Sequence, residues 1–193
     1  MSGTEQFYSS HAAVYADDPR VLPHPWRERF LALLPVGAAI LELGCGGGHD
    51  TRCMIDAGFA VTPTDGIAEI AAEAAQRLGV SVQVLRFEDI AFEAAFDGVY
   101  ASACLLHVPR ADLGEILGKV RRALKPSGLF YASYKAGKAE GHDGFGRYFN
   151  YPDAAWLEET YRSAGWSHVT LEEADGLGYD RQQTRWLHVF AQA

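Results

Sequence analysis

In the stretch "ILELGCGGGHD" (40–50), glycines fill four of the five positions 44–48, immediately behind an apolar run. Bare main chain there lets amides approach a ligand within hydrogen-bond distance and permits positive φ in the turn. A dinucleotide fingerprint requires G-x-G-x-x-G, whose third glycine packs the helix on the strand. Here the pattern is Glu42-x-Gly44-x-Gly46-x-Gly48, and His49 stands where that third glycine would be. Such a shorter loop suits a nucleotide-like ligand lying across it, without a diphosphate capping the helix. Asp65, 21 residues beyond Gly44 and followed by Gly66, ends the next apolar run. A carboxylate at that point can accept both ribose hydroxyls of an adenosine and repel a 2′-phosphate. The same side chain also suits a helix N-cap before "IAEIAAE".

Among titratable residues, His107 in "LLHVP" is the best placed for proton chemistry near neutral pH. Its alternative role is to order the turn in which it sits. His142 and Asp143 form a second, weaker pair in "AEGHDGFGRYFNY". The segment 135–151 is long for a connection and dense in glycine and aromatics, as functional loops are. Arg147, Tyr148 and Tyr151 in it either line an acceptor pocket or pack the loop. Cys45 fits the glycine turn as a small filler, and Cys104 a buried strand end. Trp156 and Trp186 suit the core.

These residues need elements to hold them, and hydrophobic periodicity supplies the elements. A helix is expected over Trp26–Leu34, with Trp26, Phe30, Leu33 and Leu34 on one side. "AILELG" (39–44) reads as a buried strand and His49–Ala57 as a helix. Strand "FAVTPTD" (59–65), helix "IAEIAAEAAQRL" and strand "VSVQVLRF" (80–87) follow. "FDGVYASA" (96–103) leads into a helix from Arg110 to Leu124, then a "KPSG" turn and strand "LFYASY" (129–134). A helix should begin at Pro152–Asp153 and end near Gly165. Two last strands, near 167–173 and 184–191, lie around the loop "ADGLGYDRQQ", too short for a crossover, so they should pair antiparallel. The alternation predicts an α/β fold: a Rossmann-like, doubly wound, seven-stranded sheet, mostly parallel, with an antiparallel C-terminal hairpin strand. Ligands of such sheets sit beyond the carboxyl ends of the strands, where the winding reverses. The glycine run falls there.

Composition narrows the partners. With 48% hydrophobic and 22% charged residues the chain is globular in type, and its 193 residues suit one domain. A net charge of −8 without a Lys/Arg block disfavours nucleic acid. No stretch approaches 18 apolar residues and the start lacks a signal-peptide pattern, so no membrane role and a cytoplasmic location are expected. Three cysteines without CxxC spacing and scattered histidines disfavour disulfide scaffolds and metal centres. Oligomeric state is not encoded in any recognisable pattern.

Taken in order, Glu42–Gly48, Asp65, "LRFEDI", "FDGVYASACLLHVP" and "VRRALKPSGLFYAS" resemble the motifs of class I S-adenosylmethionine-dependent methyltransferases. The resemblance is strong over residues 36–134. "GRYFNYPDAAWLEETYRSAGW" is similar to the small single-domain branch that includes tellurite-resistance-like and type 11 and 12 methyltransferases. It implies an enzyme with a cofactor core at 36–134, an N-terminal lid and helix at 1–35, a substrate loop at 135–151 and a closing helix and hairpin at 152–193. It implies S-adenosylmethionine as cofactor, S-adenosylhomocysteine as product and a small-molecule acceptor. Gly44, Cys45 and Gly46 would face the methionine part, with Glu42 supporting the loop, and Asp65 with Gly66 the ribose. The Phe87 amide and Glu88 would read adenine; members often carry Asp where this chain has Arg86. Ser102 and Ala103 would meet the amino group. "FYSSHAAVYADDPR" resembles a lid, so Tyr8, Tyr15 and Arg20 would close over the cofactor, Arg20 pairing its carboxylate. His107 would then serve as general base. The alternatives are a nicotinamide-dependent oxidoreductase on a similar sheet and a non-catalytic S-adenosylmethionine sensor.

Overall fold

The computed structural model describes residues 2–17 and 24–193. Two short helices open the chain, α1 (Gly3–Ser10) and α2 (Ala12–Asp17). The first is set by a capping box, in which Ser2 and Glu5 each satisfy the other's backbone N–H. Next come α3 (Pro25–Ala32), β1 (Ala39–Leu43), α4 (His49–Asp56), β2 (Ala60–Asp65), α5 (Ala68–Leu78) and β3 (Gln83–Val84). The second half holds β4 (Phe96–Ala101), α6 (Arg110–Ala123), β5 (Leu124–Lys135), β6 (Gly141–His142) and β7 (Tyr148–Phe149). Helix α7 (Ala154–Ser163), β8 (His168–Leu177) and β9 (Gln183–Gln192) complete it.

Seven strands form one sheet in the order β3-β2-β1-β4-β5-β9-β8. Strands β1 to β5 run parallel, while β9 is antiparallel to both β5 and β8. The expected architecture is therefore present. Strand β1 is central, and Ile40, Leu41 and Leu43 are fully buried because both sheet faces are covered. Alternate side chains go to opposite faces. Leu41, Val99 and Phe130 pack with α6 and α7 residues such as Leu117 and Leu157, whereas Ile40, Tyr100 and Tyr131 pack with Phe30 of α3 and Met54 of α4. The chain leaves β1 toward β2 and β3, then returns to the other side of β1 as β4. The ends of β1 and β4 are thus the switch point.

Several boundaries differ from the sequence reading. Strand β3 is only two residues, both exposed, because an edge strand needs no longer pairing and "LRF" turns away into a single 3₁₀ turn at Phe87–Asp89. The "KPSG" turn is absorbed into β5 as an irregularity: Leu124 pairs with Phe96, the register then jumps to Gly98–Leu129, and Ser127 takes φ +65°. Half of "ADGLGYDRQQ" is strand, since β8 and β9 pair from His168–Gln192 through to Leu177–Gln183. Leu33 is exposed rather than on the packed side of α3. The buried tryptophan is Trp166, while Trp156 and Trp186 pack at the margin of the core. Segment 135–151 is not an irregular loop: β6 and β7 make a small antiparallel hairpin within it.

Candidate functional site

The glycine turn is dictated by close neighbours. Gly44 has φ +64°, and a Cβ there would come within 2.5 Å of the Cys104 Cβ. A Cβ on Gly47 would lie 2.6 Å from the Ala16 carbonyl oxygen, so α2 can reach the turn only where the side chain is absent. Cys45 N–H donates to the Thr64 carbonyl (2.9 Å), and Cys104 Sγ donates to the Leu43 carbonyl (3.1 Å). Burial pushes both thiols upward, so Cys45 and Cys104 are inert spacers. Glu42 is buried beneath the turn and accepts from the Thr51 hydroxyl.

Asp65 ends β2 beside this turn. Its carboxylate accepts from the amides of Gly46 (3.1 Å) and Ile67 (2.9 Å). Burial raises its pKa, while hydrogen bonds from the Ile67, Gly46 and Gly66 amides oppose the rise. The N-cap of α5 is Ile67 and no side chain caps it, so Asp65 is not the helix cap expected from its position; it anchors the Ile67 amide two residues on and lines the cavity.

That cavity, about 610 Å³, opens at the carboxyl ends of β1, β2 and β4. Glu42, Gly44, Cys45, Gly46, Asp65 and Gly66 form one wall. Phe87 and Glu88 stand at one end, Ser102, Ala103 and His107 at another, and Tyr8 and Tyr15 come from the N-terminal helices. Of the hairpin residues, His142 and Tyr148 line it. Arg147 and Tyr151 do not, because the first is enclosed behind Tyr8 and the second stacks on Phe149 (5.1 Å). Arg20 lies outside the described residues. The Ala103 amide donates to Ser133 Oγ (2.9 Å), which fixes the backbone at the end of β4. Arg86 Nε donates to Glu88 (2.7 Å), and the same guanidinium pairs with Glu5 of α1 (2.6 Å), joining the Phe87–Glu88 part of the wall to the first helix.

The cavity also has lining that sequence reasoning missed. Ser2, Gly3, Thr4 and Glu5 come from α1, and Val108, Pro109 and Asp112 from the start of α6. The capping box of Ser2 and Glu5 and the Val108–Pro109 end of "FDGVYASACLLHVP" do not by themselves signal a cavity wall; tertiary packing brings these residues there. Asp50, at the head of α4, lines the cavity too and is held by Arg27 (2.8 Å) and the Tyr100 hydroxyl (3.2 Å).

His107 sits in a 3₁₀ turn (Leu105–His107) that Asn150 clamps. The Asn150 amide donates to Leu106 (2.8 Å), and its Nδ2 to Leu105 and Val108 (both 3.0 Å). His107 Nδ1 lies 2.6 Å from the Tyr148 carbonyl, which can only accept, so Nδ1 carries the proton. Nε2 is then the basic nitrogen, and it meets the Tyr8 hydroxyl at 2.9 Å. Burial presses the imidazole pKa down to about 4; the nearby Arg147 charge acts the same way and the Tyr148 carbonyl against it. His107 is neutral at physiological pH.

His188, under Trp26 (3.9 Å between rings) and 3.0 Å from the Tyr131 hydroxyl, is likewise driven by burial to about 4. Unfolding releases both imidazoles to the ordinary value near 6.5. Between about pH 4 and 6.5 the unfolded chain binds more protons, so stability falls as pH drops through that window. At pH 5 each histidine should cost about 2 kcal/mol relative to neutral pH. Urea melts at pH 7 and pH 5 check this, and His188→Gln should reduce the difference; an identical pH dependence would contradict it.

Among the described residues, no group of three or more His, Cys, Asp or Glu could hold a metal ion, and no helix is long and apolar enough to cross a membrane.

A parallel switch-point sheet closed by an antiparallel hairpin, with a glycine cradle facing a buried strand-end acid, is the arrangement that the resemblance to class I S-adenosylmethionine-dependent methyltransferases implies. Known proteins agree with this: residues 40–128 match the family model of a methyltransferase domain. An uncharacterized methyltransferase of Synechocystis is 34% identical over 102 residues, covering 52% of this chain and 48% of that protein. A ubiquinone biosynthesis O-methyltransferase of Xanthomonas axonopodis is 35% identical over 130 residues, covering 61% and 54%. The chain thus spans about half the length of these curated relatives. In structure it is similar to the 1,6-didemethyltoxoflavin-N1-methyltransferase of Burkholderia thailandensis, with a TM-score of 0.77, 24% identity, and coverage of 98% and 87%. Nothing in these likenesses favours the nicotinamide or sensor alternatives.

Proposed function

We propose that this chain moves the methyl group of S-adenosylmethionine to an oxygen or nitrogen of a small protic molecule, with His107 receiving the displaced proton through Tyr8. The supporting observation is that the glycine–Asp65 cradle and the Tyr8–His107 pair open on one cavity of about 610 Å³. The cradle fits the cofactor, since a side chain at Gly44 would collide with Cys104 and Asp65 presents a buried carboxylate to the same cavity from the end of the neighbouring strand. When bound, the cofactor supplies a methyl carbon on a cationic sulfur: the acceptor's lone pair forms the new bond, and the carbon–sulfur pair returns to sulfur, leaving S-adenosylhomocysteine neutral at sulfur. The chain itself aligns the acceptor, excludes water and manages the proton. The acceptor's proton passes to Tyr8 Oη as the Tyr8 proton passes to His107 Nε2. Gly44, Cys45 and Gly46 would face the methionine part, Asp65 and Gly66 the ribose, Phe87 and Glu88 the adenine, and Ser102 and Ala103 the amino group.

The relatives support a small acceptor: one is a ubiquinone biosynthesis O-methyltransferase, and one structural neighbour holds 1,6-didemethyltoxoflavin. Three free cysteines suit a reducing, cytoplasmic setting. The experiment is a thermal melt with S-adenosylmethionine, S-adenosylhomocysteine or NAD. At a hundredfold its Kd, a cofactor that binds the fold adds about 2.7 kcal/mol. Stabilisation by the first two and not by NAD is expected, followed by release of S-adenosylhomocysteine in a screen of small phenols, catechols and ring nitrogens. A response to NAD alone would overturn the proposal.

A further inference from the structure

Arg147 has almost no solvent exposure, yet it belongs to none of the cavity walls. It sits in the turn of the β6–β7 hairpin, where Asp143 accepts from its Nε (2.9 Å) and Nη2 (2.7 Å) and also from the backbone amides of Phe145 and Arg147 (both 3.0 Å). Five rings drawn from three segments surround the guanidinium carbon: Phe7 and Tyr8 of α1, Phe145 and Phe149 of the hairpin, and Tyr179 beyond β8, at 4.8 to 5.7 Å from their centres. The third nitrogen, Nη1, is turned to the Tyr8 hydroxyl at 3.2 Å.

Donor and acceptor rules give this chain of contacts one direction. A guanidinium can only donate, so Tyr8 Oη accepts from Arg147. The Tyr8 proton must then point elsewhere, and the bare Nε2 of His107 lies 2.9 Å away. His107 in turn donates from Nδ1 to the Tyr148 carbonyl, one residue after Arg147. The hairpin therefore holds both ends of the pair.

We propose that Arg147 is a positioning residue for methyl transfer, aiming the Tyr8 hydroxyl proton at His107 Nε2 and balancing the negative charge that Oη gains while that proton crosses. The inference rests on the function proposed above. A cation that donates to Oη favours the charged oxygen, and a water-poor aromatic cage strengthens that interaction. Asp143 fixes the guanidinium plane so that Nη1, and not Nη2, faces Tyr8. The charged groups that act on His107 from the packed elements are Arg147 and Lys135, which disfavour its protonation, and Asp143, which favours it.

The test is NMR of the protein saturated with S-adenosylhomocysteine, comparing wild type with Arg147→Met and Arg147→Lys. In wild type the Tyr8 hydroxyl proton should be protected from exchange and correlate with His107 Nε2. Arg147→Met should abolish that signal and raise the His107 titration midpoint by about half a unit or more, while Arg147→Lys, which keeps a charged donor, should preserve both. Should Arg147→Met fail to fold, Asp143→Asn carries the test: it keeps the cation in its cage but loosens the fork, and should speed exchange of the Tyr8 proton about tenfold. An Arg147→Met protein (or Asp143→Asn, where that replaces it) with the Tyr8 signal and the His107 midpoint unchanged would overturn the proposal. S-adenosylhomocysteine affinity, measured on the same samples, reads the underlying function separately: wild-type protein that fails to bind it sinks that reading and not the contact chain.

Discussion

Alanine at Asp65 should weaken S-adenosylhomocysteine binding about a hundredfold, the largest loss of affinity expected from any single side chain here. The carboxylate is buried, and each hydrogen bond from a sugar hydroxyl to a charged acceptor contributes about 1.5–3 kcal/mol. Losing both, less what water restores, corresponds to about 2.7 kcal/mol. The variant also leaves the Gly46 and Ile67 amides without their acceptor, so the free protein should melt lower whichever role Asp65 plays. Calorimetry separates the roles. Asp65→Asn keeps the shape and one acceptor, and should recover about tenfold of the lost affinity. If Asp65→Ala melts lower but binds S-adenosylhomocysteine as wild type does, the residue anchors the Gly46 and Ile67 amides and nothing more.

Removing the His107 imidazole, as in His107→Ala, should lower kcat by about two to three orders of magnitude, the usual weight of a positioned base. S-adenosylhomocysteine affinity should hold, because His107 is assigned to the acceptor's proton and not to the cofactor. Tyr8→Phe should cost nearly as much. The double variant should be little worse than either alone, since groups that pass one proton act as a unit. With the imidazole neutral above about pH 4, kcat should stay level through pH 6, well below where an ordinary histidine begins to protonate. A His107→Ala enzyme with unchanged kcat and a raised KM would show that the residue only shapes the pocket.

Legibility followed the range of the interactions. The cradle could be read because its parts are local: an apolar strand, glycines where Cβ atoms would collide, and an acid at the end of the next strand. Strand alternation likewise announced the sheet order's ingredients, since burial on both faces demands mostly apolar runs at β1 and β4. Edges were harder. The short β3 and the long β8–β9 hairpin depend on how much pairing a neighbour offers, and residue types do not record that.

The amino-acid sequence by itself determined the α/β sheet, the glycine turn and the place of Asp65, because steric and hydrogen-bond requirements there span a few residues. Tertiary structure alone decided that Tyr8 meets His107 across 99 residues and Arg147 across 139. It also decided that Arg147 lies behind the pocket wall and not on it. The reason is physical: a donor acquires its acceptor, and a cation its aromatic cage, only when separate segments pack, and no spacing along the chain encodes the distance between them.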